Sequence, residues 1–248
     1  MIRVVDLYKS FGGQQVLKGI SLEVETGKIT TIIGGSGSGK TVLLKHLNAL
    51  LLPDRGSVLV DGTDITKLGE NALNIIRKKF GVLFQGAALL DSMTIYDNVA
   101  FPLRETTKLS ESDIRKRAEE RLAQVGLAGM GYKYPAELSG GMKKRAGLAR
   151  ALVIEPEIIL FDEPTTGLDP LLGKSIHELI RKMHNTFGFT GVMVSHDIPE
   201  VFKVSDRVAM LANGVIAEVG LTEQFMASQN PMVRQFLQGE TEGPLAVL

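Results

Sequence analysis

The chain has 248 residues, 44% hydrophobic and 23% charged, enough for a large globular domain or a core with an inserted subdomain. Lysine plus arginine and aspartate plus glutamate balance at 28 each, so no bulk charge draws it to nucleic acid. Cysteine is absent, which excludes disulfides, thiolate metal sites and cysteine nucleophiles. No apolar run reaches about 18 residues, so no membrane span is expected. Met1 to Asp6 carry no signal-peptide pattern, and the cytoplasm is the expected location.

Ile2 to Tyr8 reads as a short strand, and Gly12-Gly13 as a turn. Leu17, Ile20, Leu22 and Val24 are mostly alternate, a half-buried strand pattern. These first strands should pair antiparallel. Ile29-Thr30-Thr31-Ile32-Ile33 is a buried strand that feeds Gly34-Gly35-Ser36-Gly37-Ser38-Gly39-Lys40-Thr41, and Val42 to Leu50 reads as a helix. Pro53 to Gly56 stops that helix, Ser57 to Val60 is a strand, and Phe80 to Phe84 is an apolar strand ending at Gln85. The pattern then turns helical. Thr94 to Asp97 resembles a helix start, with Pro102 limiting that helix. Ser110 to Val125 is amphipathic, with Ile114, Ala118, Leu122 and Val125 on one face and Gly126 as C-cap. A further helix runs from Leu138-Ser139-Gly140-Gly141-Met142 to about Val153. Residues 87–150 therefore form a helical insertion. Ile158 to Asp162 and Val192 to Ser195 are continuous apolar strands of a sheet buried on both faces, separated by a helix from about Pro170 to Phe187. Asn213-Gly214 marks a hairpin, a last helix ends near Leu237, and Gly239 to Leu248 is expected to be loosely held.

Strand, glycine loop and helix together form a P-loop context. Its glycines let successive N–H groups converge on phosphate oxygens. Lys40 is placed to reach the β- and γ-phosphates of ATP, and the Thr41 hydroxyl to ligate Mg²⁺. Asp162 and Glu163 end an apolar strand, where acidic groups are costly unless cations or water meet them. With a P-loop upstream, Asp162 should hold Mg²⁺ through water, and Glu163 should polarise the attacking water. Ser139 caps a helix whose first turn holds Gly140 and Gly141, a second place where phosphate can approach closely. Two such half-sites are satisfied mutually if two copies pack head-to-tail as a C2 dimer around two nucleotides.

These motifs, in this order and over nearly the whole chain, resemble the nucleotide-binding subunit of an ABC transporter. The resemblance implies an α/β fold: a P-loop NTPase (RecA-like) core with an N-terminal antiparallel β subdomain and an inserted α-helical subdomain. The implied layout is one ATPase domain over 1–238, with core 1–86 and 151–222, helical subdomain 87–150, and a C-terminal helix and tail over 223–248. Gly34 to Thr41 is the Walker A loop, Ile158 to Asp162 the Walker B strand, and Leu138 to Met142 the signature. The signature usually ends in glutamine and here ends in Met142. Gln85 matches the residue that touches Mg²⁺ and water. His196, in Ser195-His196-Asp197, matches the switch histidine on the γ-phosphate. Phe11 matches the aromatic that stacks on adenine, and Asp169, in Gly167-Leu168-Asp169, the loop acid that crosses the dimer interface. The catalytic set implied is Glu163, His196, Gln85 and Lys40, and the metal set Thr41, Gln85 and Asp162. His46, His177 and His184 read as structural.

Phe84 to Leu90, Asn98 to Glu105, Met142 and the segment from Val233 to Pro244 are similar to the Mla-type ATPases. These pair with permeases and mammalian-cell-entry (MCE) proteins in phospholipid transport. The partners implied are a second copy, a membrane permease, an MCE-type protein and a small STAS-type accessory protein, on the cytoplasmic face of a bacterial inner membrane. Ala87, Ala88, Leu89, Leu90 and Met93 are expected to form an apolar docking groove. Two alternatives stay open: an amino-acid or other small-solute importer, and a soluble ABC ATPase. Ser139 follows Lys40 by 99 positions, which leaves no room for the long coiled coil of one soluble class. A P-loop kinase would leave the signature unexplained.

Overall fold

A computed structural model describes residues 1–245. In chain order the elements are β1 (Ile2–Phe11), β2 (Gln14–Val24), β3 (Ile29–Ile33), α1 (Lys40–His46), β4 (Arg55–Val60), β5 (Thr63–Asp64), α2 (Glu70–Arg77) and β6 (Phe80–Leu83). Then come α3 (Ile95–Thr106), α4 (Glu111–Gln124), α5 (Gly140–Leu152), β7 (Ile158–Asp162), α6 (Pro170–Phe187) and β8 (Thr190–Ser195). The chain closes with β9 (Arg207–Ala212), β10 (Val215–Leu221), α7 (Thr222–Met226) and α8 (Pro231–Gln238). These elements fall into two compact units, one of Met1–Arg77 with the chain from Thr190 onward, the other Lys78–Phe189. The helical segment read from the sequence over 87–150 lies inside the second.

In the first unit, β2, β1, β4 and β5 form an antiparallel sheet in that order. Ile2 and Val4 face the core, and strict alternation would put Asp6 there next. A bulge at Asp6, with φ 47, resets the register so that Leu7 pairs with Ile20 and both are buried. The second set of strands centres on β3, which pairs in parallel with both β8 and β9. All five residues of β3 are buried, Thr30 and Thr31 among them, as a strand covered on both faces requires. Its N-terminal end is fixed by Asp206, whose Oδ2 accepts from the Ile29 N–H at 2.7 Å. β10 returns antiparallel to β9 through the expected hairpin.

The C-terminal tail is tied down, contrary to the expectation of a loose end. Gln235 of α8 is 3% exposed. Its amide nitrogen donates to the carbonyls of Glu240 (3.3 Å) and Leu245 (3.1 Å), and its oxygen accepts from the Leu245 N–H (2.7 Å). A Cβ on Gly243 would lie 2.4 Å from that oxygen, so the tail passes where only glycine fits. Ala246 to Leu248 lie outside the described residues.

In the second unit, β6 and β7 pair in parallel, Phe80 opposite Ile158 and Leu83 opposite Phe161. α5 packs on β6 at backbone distance: a Cβ on Gly81 would fall 2.3 Å from the Ala151 carbonyl oxygen. α4 starts where Ser110 accepts from the Asp113 N–H, and its Ile114, Ala118 and Leu122 stripe is buried. α3 does not stop at Pro102 but runs to Thr106. Proline removes one hydrogen bond, to the carbonyl four residues back. Val99, Ala100 and Leu103 are buried, and that packing outweighs the loss.

Candidate functional site

The phosphate loop belongs to the first unit. Gly34 holds φ 154, and a Cβ there would sit 2.2 Å from the Leu211 carbonyl oxygen. Only glycine lets β3 turn into the loop against β9. Lys40 is 5% exposed, and its Nζ donates to the carbonyls of Gly34 and Gly35, each at 2.9 Å. The ammonium is thus already held at the mouth of the loop. The Ser38 hydroxyl is buried without a hydrogen-bond partner. α1 starts at Gly39, φ 100, with no side-chain cap. An orphaned hydroxyl and uncapped helical N–H groups fit a phosphate that supplies the missing acceptors. A cavity of about 650 Å³ adjoins Gly35 to Ser38, bounded also by Val16, Lys18 and the tail residues Gly239 to Thr241.

Phe11 is 46% exposed, with the Lys9 ammonium 5.5 Å from its ring centroid. Tyr8, the other candidate, already faces the Arg55 guanidinium at 5.1 Å. Phe11 is the more exposed of the two, but each ring has a cation over it, and Phe11 is not part of the cavity lining. His196 is exposed beyond the end of β8, while His46, His177 and His184 are buried. The Nδ1 of His46 lies 2.7 Å from the Val42 carbonyl, and burial holds its pKa below the ordinary value.

The acidic cluster belongs to the second unit. Asp162, 8% exposed, ends β7. Glu163 follows at φ 46, left-handed for a non-glycine residue, a geometry that costs of order 1–3 kcal/mol. Its Oε2 accepts from the Thr166 hydroxyl at 2.8 Å and from the Gln85 amide at 3.4 Å. The sequence motifs therefore bring Gln85 and Glu163 together. Ser139 caps α5, its Oγ accepting from the Met142 N–H at 3.4 Å, and both Ser139 and Gly140 are exposed. Met142 is half-buried. Asp169 caps α6, accepting from the N–H groups of Leu171 and Leu172 at 3.0 and 3.1 Å. The expected apolar groove is reduced, because Ala87 is buried beneath α5, while Phe84, Leu90 and Phe101 remain exposed.

One residue of this cluster escapes a motif reading. Lys144 of α5 is 5% exposed, and its Nζ donates to the backbone carbonyls of Gln85 and, at 3.3 Å, Glu163. Burial pushes its pKa down, partly offset by Glu163 and Asp162. The available signal was its position: with Gly141 and Leu148 it falls on the buried stripe of its helix, where a cation needs a reason.

No group of three or more His, Cys, Asp or Glu residues among the described residues could hold a metal unaided. Mg²⁺ keeps water and phosphate ligands and takes one or two protein oxygens. The Thr41 hydroxyl and the Asp162 carboxylate suit that chemistry.

A phosphate loop on a parallel sheet, an acidic strand end and a serine-capped helix opening on two glycines define a P-loop ATPase of the cassette type. The chain matches the ABC transporter family model over residues 17–166 and belongs to that family. It is the ATP-binding, ATP-hydrolysing motor subunit of an ABC transporter, with the α/β fold expected. It is 46% identical over 99% of its length to the probable ribonucleotide transport ATP-binding protein mkl of Mycobacterium leprae, covering 71% of that protein. It is 42% identical, again over 99% of its length, to the intermembrane phospholipid transport system ATP-binding protein MlaF of Haemophilus influenzae, covering 93% of it. Among solved structures it resembles a dimeric ATP-binding cassette in a post-hydrolysis state with ADP and phosphate. There the TM-score is 0.82 and the identity 33%, covering 90% of this chain and 99% of that one.

Proposed function

We propose that this subunit drives phospholipid transport between membranes, as the ATPase of an MlaF-type system on the cytoplasmic face of a bacterial inner membrane. The match to MlaF carries this reading, because the chain accounts for 93% of that protein against 71% of mkl. The mkl likeness favours a second reading, ribonucleotide cargo. No helix among the described residues is long and apolar enough to cross a membrane, so this reading requires a separate permease. The other partners are a second copy, an MCE-type protein and a STAS-type accessory protein.

In this reading two copies close around two ATP molecules. Lys40 and the N–H groups of Gly34 to Thr41 bind the phosphates, and Phe11 stacks on the base. Ser139, Gly140 and Gly141 meet the γ-phosphate of the nucleotide on the partner copy, with Asp169 at that interface. Thr41, Gln85 and, through water, Asp162 would hold Mg²⁺, which would neutralise charge on the phosphates. Glu163 orients and deprotonates the attacking water, and His196 hydrogen-bonds the γ-phosphate.

Two experiments test this. Lys40→Ala and Ser139→Arg chains should each be inactive, and mixing them should restore activity through heterodimers holding one intact site; demonstrated heterodimers without recovery would count against the shared site. Purification from native membranes should bring a permease, an MCE protein and phospholipid. Ribonucleotide, or a periplasmic amino-acid-binding protein with its permease, would refute the lipid assignment and leave the ATPase intact.

A further inference from the structure

We infer that Lys144 is a positioning residue for ATP hydrolysis, joining the backbone behind Gln85 to the backbone behind Glu163. The inference rests on the roles proposed above for those two side chains.

Lysine is rarely buried without a partner, because desolvating an ammonium is costly. Lys144 meets that cost with two backbone carbonyls, both belonging to residues proposed to act on water or metal. The hydrogen bonds of Lys144 go to main-chain carbonyls, and the charges of Glu163 and Asp162 act on its ammonium from nearby. Lys144 fixes the main chain, while the Glu163 carboxylate is met by the Thr166 hydroxyl and the Gln85 amide.

The backbone that it fixes needs support. Glu163 is left-handed at φ 46, and so are Ala87 and Ala88, two and three residues after Gln85, at φ 61 and 47. Non-glycine residues persist in this region only where their surroundings over-determine them. α5 supplies those surroundings twice. Lys144 holds the carbonyls of Gln85 and Glu163, and Arg150 donates to the carbonyls of Ala87 (2.7 Å) and Ala88 (2.6 Å). The helix that Ser139 caps thus also sets the loops that carry Gln85 and Glu163. A shift of α5 would be felt at both side chains through one ammonium group. The positions of Gln85 and Glu163 then depend on Lys144 through their main-chain carbonyls.

The test compares Lys144→Met, which keeps the stem and loses the donors, with Lys144→Arg, which keeps donors, in the full-length protein. ATP with Mg²⁺ is the ligand, and kcat and ATP affinity are read separately. The expected result is a kcat lowered about 10- to 100-fold in Lys144→Met with affinity within about twofold, and kcat recovered to within about threefold in Lys144→Arg. Added to Glu163→Gln, Lys144→Met should cause no further loss, since it acts through Glu163. Turnover within twofold of the parent in Lys144→Met would overturn the inference. So would affinity falling in step with kcat, or Lys144→Arg as slow as Lys144→Met. Should Lys144→Met fail to fold, Lys144→Leu, which also lacks donors, is read in its place under the same criteria. Glu163→Gln run alongside separates two failures. If it is slow while Lys144→Met is normal, only the Lys144 inference falls. If it turns over normally, the role of Glu163 itself falls.

Discussion

The phosphate loop of the first unit and the Gln85–Glu163 cluster of the second both rely on unusual backbone, but they secure it differently. Gly34 to Thr41 adopts its shape because glycine stands where φ is positive, and because Lys40 bonds to carbonyls five and six residues back. Those contacts lie within eight consecutive residues, and Gly34 also approaches the distant Leu211 carbonyl of β9. Glu163 and Ala87 adopt left-handed backbone without glycine, and their support comes from Lys144 and Arg150 on a distant stretch of chain. One site is held by its own sequence, the other by a neighbouring helix. A site held mostly by its own sequence keeps its geometry as long as β9 backs Gly34. A site held by another element moves when that element moves, which is what a hydrolytic step coupled to transport requires.

The comparison can be broken from either side, and the largest effect falls on the local site. Gly34→Ala places a Cβ 2.2 Å from the Leu211 oxygen and should displace the loop. A penalty of about 3 kcal/mol would weaken ATP about 100-fold, measurable by titration with ATP and Mg²⁺. Unchanged affinity would mean that the loop is not held against β9. Thr166→Ala removes a hydroxyl from Glu163 and should cut kcat about fivefold with affinity intact; a loss of affinity instead would blur the contrast. Gln235→Ala leaves the tail's polar groups without their partner and should lower stability by about 1–3 kcal/mol, a drop of several degrees in Tm. The smallest effect concerns pH. Burial depresses the His46 pKa in the folded state, so the unfolded chain binds its proton more readily. Its stability contribution is therefore present above the unfolded value of about 6.5 and lost as pH falls below it. His46→Gln should flatten the slope of denaturation midpoint against pH between about 7 and 5; an unchanged slope would assign it to other groups.

The same difference explains what the sequence revealed. Gly34 to Thr41, the Ser139 cap and the Asn213-Gly214 hairpin are set by neighbours within a few residues, and all were legible. The Asp6 bulge was not, because it depends on the register of β1 against β2. Pro102 was read as a stop because local rules say so, and tertiary packing overrode them. Lys144 and Gln235 were missed because their partners lie 59 and 10 positions away and are backbone atoms, which leave no side-chain pattern to read. Asp169 had a cap's position directly before Pro170, and the structure shows its carboxylate capping α6.

The central claim is that binding and hydrolysis are carried by separable parts of this chain, and Glu163→Gln tests it most directly. The substitution keeps the shape of the side chain and removes the base. ATP affinity should stay within about twofold of the parent while turnover falls about 10²- to 10⁴-fold, so that an ATP-bound dimer accumulates on a sizing column. Near-normal turnover in the purified variant, or a matching loss of affinity, would contradict it.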